Sequence, residues 1–184
     1  ELGANVETPT NDGATPVFIA AEKGHAEVVR LLAERGANVE TPRNDGTTPL
    51  EISADGGPSH LSSTQTLLLL GAPITPSAVT INTLRQRANA RGNTRQLRAD
   101  LQAWAADALT QHRTFHDTFL HGTSAHEGIA LAALGGVAEV REQIAEFVGI
   151  VVGVKLRHLR AVGPAIAAVD WAAHDEPWEG PFTD

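Results

Sequence analysis

No cysteine occurs among the 184 residues. That absence removes disulfides, thiolate metal sites and cysteine nucleophiles at once, and it leaves the redox compartment unread. Aromatic side chains make up only 4% of the chain, and no apolar run is long enough for a membrane span. The most apolar window, Ile144 to Val154, is about half of the ~20 residues a span needs and contains Glu146, so it reads as a core helix. No basic and apolar leader opens the chain. With Glu1 where a methionine would stand, the natural N-terminus is expected further upstream. Localisation therefore cannot be read from a signal, and an intracellular, cytoplasmic location is the working expectation.

Positive charge is also scarce: the formal net charge is -8, with a pI near 5.4. Such a chain repels phosphate backbones unless its cations are concentrated on one face. Arg85, Arg87, Arg91, Arg95 and Arg98 form the one dense cluster, and such runs are more often solvated faces than phosphate contacts. Neither nucleic acid nor membrane is an expected partner. Hydrophobic residues at 42% and charged residues at 20% are ordinary for a globular chain that buries a core.

What is present is a repeat. GANVETPTNDGATP at residues 3–16 returns as GANVETPRNDGTTP at residues 36–49, an offset of 33 with twelve of fourteen positions identical. Asn11-Asp12-Gly13 and Asn44-Asp45-Gly46 suit tight hairpin turns, because these residue types tolerate positive φ. Thr15-Pro16 and Thr48-Pro49 supply a capping hydroxyl followed by proline at the first helical position. A short helix through Val17, Ile19, Ala20 and Ala21 should end at Gly24. A second, through Val28, Val29, Leu31 and Leu32, should end at Gly36.

TPVFIAAEKGHAEVVRLLAERGANV resembles the ankyrin consensus TPLHxAAxxGHxxVVxLLLxxGAxx nearly position for position. The period agrees with that resemblance. It implies an all-α solenoid of helix-turn-helix units with hairpin fingers, and a protein-binding, non-enzymatic scaffold. Two departures stand out: the histidine usual after Thr-Pro-Leu is Phe18 in one unit and Glu51 in the next. The hydrogen bonds such an imidazole makes are then absent, which predicts weaker local stability. The second unit also degrades after Ala54, with Pro58 at the expected start of its second helix. One complete and one degenerate repeat over residues 1–75 fall short of the roughly three needed for a stable stack. Upstream repeats or the downstream region should cover the open faces.

Residues 76–93 read as a transitional capping helix that begins after Thr75-Pro76 and ends at Arg91-Gly92-Asn93. From 94 to 174 the pattern predicts an antiparallel hairpin or small bundle. Leu97, Leu101, Trp104, Ala108, Phe115 and Phe119 form one amphipathic stripe. Ser124-x-x-Glu127 suggests a capping box for a helix over 125–134. A further stripe from Val137 through Val140, Ile144, Phe147, Val148 and Val151 to Val162 should stop at Gly163-Pro164, with a last helix to His174. Gly149 and Gly153 at i,i+4 would let a neighbouring helix approach closely. The tail 175–184, with Trp178 and Phe182 between prolines, reads either as a docking peptide or as a segment folded onto the bundle.

Ankyrin proteins bind partners through hairpin tips and the exposed side of each first helix. By resemblance the matching positions are Asn11, Asp12, Ala14, Glu22 and Lys23, then Arg43, Asn44, Asp45, Thr47 and Asp55. Asp12 and Asp45 also have a purely structural reading, as acceptors that hold their own turns. Phe18 is an aromatic at an expected exposed position and a hot-spot candidate, or else a residue that packs on a preceding repeat.

The remaining catalytic-looking cluster is histidine-rich: His112, His116, Asp117, His121, His126 and Glu127. His112 and His116 share a helix face at the spacing of zinc-binding HExxH helices, but the word here is HRTFH. Arg113 stands where the general base would be, and a cation there opposes metal binding and water activation. Ser124, His126 and Asp117 lack a nucleophile elbow. The glycines belong to turns and helix ends, so no phosphate loop is formed. No metal site and no cofactor are expected.

Overall fold

The computed structural model describes residues 5–74, 81–121 and 138–168, with side chains described over 5–74, 96–118 and 139–168. Among these residues the protein is all-helical, with seven α-helices, one 3-10 turn and no strand.

Each of the first two units is built by the same local devices. Gly13 takes φ +84°, and its N–H donates to Thr10 O at 2.9 Å while Thr10 N–H donates to Ala14 O at 3.0 Å. Those two bonds close a finger without forming a ladder. The turn places positive φ on glycine alone: no non-glycine described residue adopts it. Thr15, in extended backbone, then accepts from Phe18 N–H at 3.2 Å and starts α1, Pro16–Glu22. Gly24 reverses the chain into α2, Ala26–Glu34.

The second unit begins α3, Pro49–Asp55, with a reciprocal capping box. Glu51 N–H donates to the Thr48 hydroxyl at 3.3 Å, and Thr48 N–H donates to the Glu51 carboxylate at 2.9 Å. Glu51, standing where resembling repeats carry histidine, thus supplies its own stabilising bond. Gly57 stands fourteen residues before Gly71, against twelve between Gly24 and Gly36, and the two extra residues are absorbed in a 3-10 turn, Gly57–His60, around Pro58. Helix α4, Leu61–Leu69, consequently keeps the nine-residue length of α2.

A histidine does bridge the units, from a place sequence spacing gave no reason to inspect. The His60 ring donates from Nε2 to Glu22 O at 3.1 Å, the terminal carbonyl region of α1, across 38 residues. His158 repeats the device one layer further on, with Nδ1 3.0 Å from Leu69 O at the end of α4. Both rings satisfy carbonyls that a helix C-terminus leaves without an internal donor.

The C-terminal part departs from the sequence expectation in four places. Helix α5, Ile81–His121, runs unbroken for 41 residues, so the chain does not end a helix at Gly92. A single glycine costs a helix only about 1 kcal/mol, which a long helix absorbs. The apolar window Ile144–Val154 is not one core helix. Helix α6, Ala138–Phe147, ends within it and α7, Gly153–Ala168, starts there, leaving Phe147 91% exposed. Gly149 and Gly153 take φ +77° and +63° in the connection, and a Cβ at either would meet nothing; they turn the chain and do not serve close helix packing. Finally, α7 continues through Gly163-Pro164. The proline lies on an exposed face of the helix, where water can satisfy the Arg160 carbonyl that loses its donor. The expected stretches 75–80, 122–137 and 169–184, including the Ser124–Glu127 box and the Trp178 tail, lie outside the described residues.

Helices stack in register, α1 on α3 and α2 on α4, while α5 lies on α3, the 3-10 turn and α4, and α7 lies on α4 and α5. The result is one continuous apolar core. It runs from Val17, Ala21 and Val29 through Leu67 and Leu68 to Leu97, Leu101, Leu159, Val162 and Ile166. The stripe expected on the long helix supplies its share, with Leu97 and Leu101 buried and Trp104, Ala108 and Phe115 half-buried.

Candidate partner-binding surface

The two fingers are tied to each other. Asn44 N–H donates to Asp12 O at 3.1 Å, and a Cβ on Gly13 would stand 2.2 Å from Asn44 Oδ1. The identity of the glycine is thus fixed both by its positive φ and by the neighbouring finger. Thr10 anchors the first tip, donating to Asp12 and accepting from Ala14 N–H at 3.0 Å. At the second tip Thr10 is replaced by Arg43, whose guanidinium chelates Asp45. Asp45 in turn accepts from Thr47 N–H at 3.0 Å. The structural reading of both aspartates therefore holds: each accepts hydrogen bonds within its own turn.

Arg43 also sits 5.0 Å above the ring of Phe18. Phe18 is 1% exposed, which corrects the expectation of an exposed aromatic: the next finger's arginine closes over it. Ala14 and Thr47 are likewise buried, at 6% each, because the residue after each turn points into the stack. These three positions are unavailable to a partner. Asn11, Asp12, Lys23, Asn44 and Asp45 are exposed, and Glu22, Arg43 and Asp55 are half-buried.

Charge at this surface is organised around Arg43. Its guanidinium is held firmly protonated, first by the hydrogen bond to Asp45 and further by the fields of Asp45, Asp12 and Glu22. Three acids thus surround Arg43, and Lys23 pairs with one of them, Glu22, at 3.2 Å; with Asp55 the finger surface holds four acids against two cations and is net acidic. The Arg43 hydrogen bond holds the Asp45 carboxyl well below the usual carboxylate range. The Thr10 hydroxyl lowers Asp12 in the same direction. A carboxyl depressed in the folded state stabilises the fold fully above its unfolded value of about 4, and that contribution is lost as pH falls through the folded value. Asp45→Asn should accordingly flatten the acid limb of stability: its urea midpoint should fall less between pH 5 and pH 2 than that of the unaltered chain. Parallel acid limbs would count against this assignment.

On the histidine-rich helix face the described side chains are those of His112, His116 and Asp117. His112 and His116 stack with ring centroids 6.2 Å apart, and Arg113 is exposed beside them. His112 is pushed below its ordinary pKa, first by burial and then by Arg160, His116 and Arg141. Cations facing the ring oppose a metal as they oppose a proton. Among the described residues no three His, Asp or Glu side chains converge on a metal-sized point. The side chains of His121, Ser124, His126 and Glu127 lie outside the described residues. Nor is any described helix long and apolar enough to cross a membrane. A shallow groove of 270 Å³ lies between α4 and α7, lined by Leu68, Ala72, Ile74, His158 and Val162, below the usual range for a small-molecule site.

Residues 2–77 match the family model described as ankyrin repeats (3 copies). A search of curated proteins gives no match. Ankyrin repeats in general are protein–protein interaction modules and typically carry no catalysis. The matched span covers both fingers, the Thr-Pro-capped first helices and the glycine-ended second helices, so this part of the chain is built of ankyrin repeats.

Proposed function

We propose that the chain is a non-catalytic scaffold that holds a protein partner on its finger tips and on the exposed ends of α1 and α3. The observation that carries this reading is the acidic set Asp12, Glu22 and Asp45 around Arg43, presented on two fingers locked together by Asn44. The contact residues are Asn11, Asp12, Glu22, Lys23, Asn44, Asp45 and Asp55, with Arg43 holding the second tip in shape. An excess of carboxylates selects a partner with basic side chains, and complementary charge acts chiefly on encounter and specificity. Helices α5 and α7 close the far end of the array by occupying the side of α3 and α4 that a further repeat would use. Upstream repeats extend the same surface in the other direction.

The test begins with co-purification using the whole protein, followed by titration of the partner obtained. The double variant Asp12→Lys/Glu22→Lys reverses charge at an exposed tip and at the half-buried end of α1, where Glu22 pairs with Lys23, and leaves the Arg43–Asp45 pair intact. It should weaken binding at least ten-fold, about 1.4 kcal/mol, and bring a smaller salt dependence. Unchanged affinity with unchanged salt dependence would remove these residues from the site.

A further inference from the structure

The connection between α6 and α7 holds an apolar knob out from the molecule. Phe147 is 91% exposed, and Val148 and Val154 are 55% and 56% exposed. These side chains stand on a hydrogen-bonded turn. Ile150 N–H donates to Ala145 O at 2.8 Å, and Gly149 N–H donates to Glu146 O at 3.1 Å. With Gly149 at φ +77°, these are the paired bonds and the left-handed glycine of a Schellman cap. Ala145 is fully buried, so the cap is anchored in the fold and fixes the last turn of α6 with Phe147 outermost. An aromatic that folding already holds in place loses little further freedom on contact, and an apolar cluster kept in water in this way marks an interaction site.

The complement of the knob lies on the same hairpin. Val154, His158, Ala161 and Ala165 follow one another at spacings of four, three and four along one face of α7. The last three line the groove between α7 and the end of α4, with Leu68, Ala72 and Ile74 opposite. An apolar cavity of about 150 Å³ already admits a benzene ring, so this groove of 270 Å³ takes a phenyl side chain. Charge is distributed to match: exposed Glu142 and Glu146 precede the knob, and exposed Lys155 and Arg157 follow it.

We infer that α6 and α7 form a two-fold interface with a second copy of this chain, in which Phe147 of each copy enters the α4–α7 groove of the other. A two-fold contact uses one patch twice and therefore needs a patch that complements itself. Knob and groove, acids and bases, meet that condition here. Seating Phe147 against His158 and Ala161 brings Glu146, its neighbour in the chain, beside Arg157, the neighbour of the groove lining. Two rings of about 150–250 Å² each and the walls they cover, together with Val148 and Val154, reach the low end of specific interfaces, near 1,200 Å² in total. The dimer is accordingly reversible, with a Kd in the micromolar range. A lipid surface fits the knob less well, because Glu142 and Glu146 beside it repel anionic headgroups. The contact uses none of the finger residues, so its failure and that of the partner surface are read independently.

Sedimentation velocity of the whole chain from about 1 to about 300 µM tests the inference. The parent chain should pass from monomer to dimer over this range. Phe147→Ser, at an exposed position that leaves the fold intact, and Ala161→Asp, on the groove side, should each raise the dimer Kd at least ten-fold. Glu146→Arg and Arg157→Glu should each weaken the dimer, and their combination in one chain should restore it. A parent chain that stays monomeric, a dimer indifferent to Phe147→Ser or Ala161→Asp, or a double reversal that restores nothing overturns this arrangement. So does a monomer that floats with phosphatidylcholine vesicles and loses them on Phe147→Ser, since the knob would then belong to a lipid surface.

Discussion

Phe18→Ala is expected to lower the unfolding free energy by about 3–5 kcal/mol, the usual loss for a buried phenylalanine cut to alanine. The ring is 1% exposed, lies within α1 and is roofed by Arg43 from the following finger. Removing it deletes its apolar contacts, leaves a cavity beneath the finger and takes away the face over which the guanidinium rests. Arg43→Ala separates these contributions. It keeps the ring but removes a cation–π contact of about 0.5–1 kcal/mol and frees Asp45 from its strongest partner, so a smaller loss is expected. Urea unfolding of the two variants decides the matter: a Phe18→Ala loss under about 1 kcal/mol would mean that the side chain is not a core residue.

Leu159→Ala should cost about 2–5 kcal/mol, and its larger consequence should appear far from the substitution. Leu159 is fully buried in α7 and belongs to the same apolar cluster as Leu67, Val29 and Val17. Two repeats are fewer than a freestanding stack requires, so the first four helices depend on the surface that α5 and α7 offer to α3 and α4. Amides of α3 and α4 should therefore lose protection in parallel with those of α7, in a single transition. If repeat amides kept their protection while α7 opened alone, the repeats would be an independent cooperative unit and the shared core would not govern stability.

The repeats were legible because their signals are local. The 33-residue offset, the Thr-Pro caps and the turn glycines act through neighbours a few residues away, and all of them reappear at the expected residues. Phe18 was misread because its roof comes from Arg43 on the next finger, a contact that depends on the spacing between units. His60 and His158 escaped notice for the same reason, since their acceptors, the Glu22 and Leu69 carbonyls, are 38 and 89 residues away. Where the repeat histidine is missing, Glu51 and His60 supply hydrogen bonds of their own. In the C-terminal part the punctuation rules ran too strictly: Gly92 and Pro164 stand inside helices, where tertiary packing outweighs a cost of one to a few kcal/mol. Conversely, Gly149 follows the end of α6 and Gly153 opens α7, where their spacing suggested close packing against a neighbouring helix. Of the proposed contact residues, the exposed acids were identifiable from their place in the repeat. The burial of Ala14 and Thr47 was not, because a small residue beside a turn gives no sign of which way the next layer lies.

The backbone bond from Asn44 to Asp12 has a kinetic consequence. Tips that were separate hairpins would each have to be immobilised on association, at the expense of the affinity gained. Here the freedom of one tip relative to the other is already lost in folding, so a ligand bridging both meets a rigid pair. Weakening that bond should leave the rate of encounter nearly unchanged and shorten the lifetime of the complex.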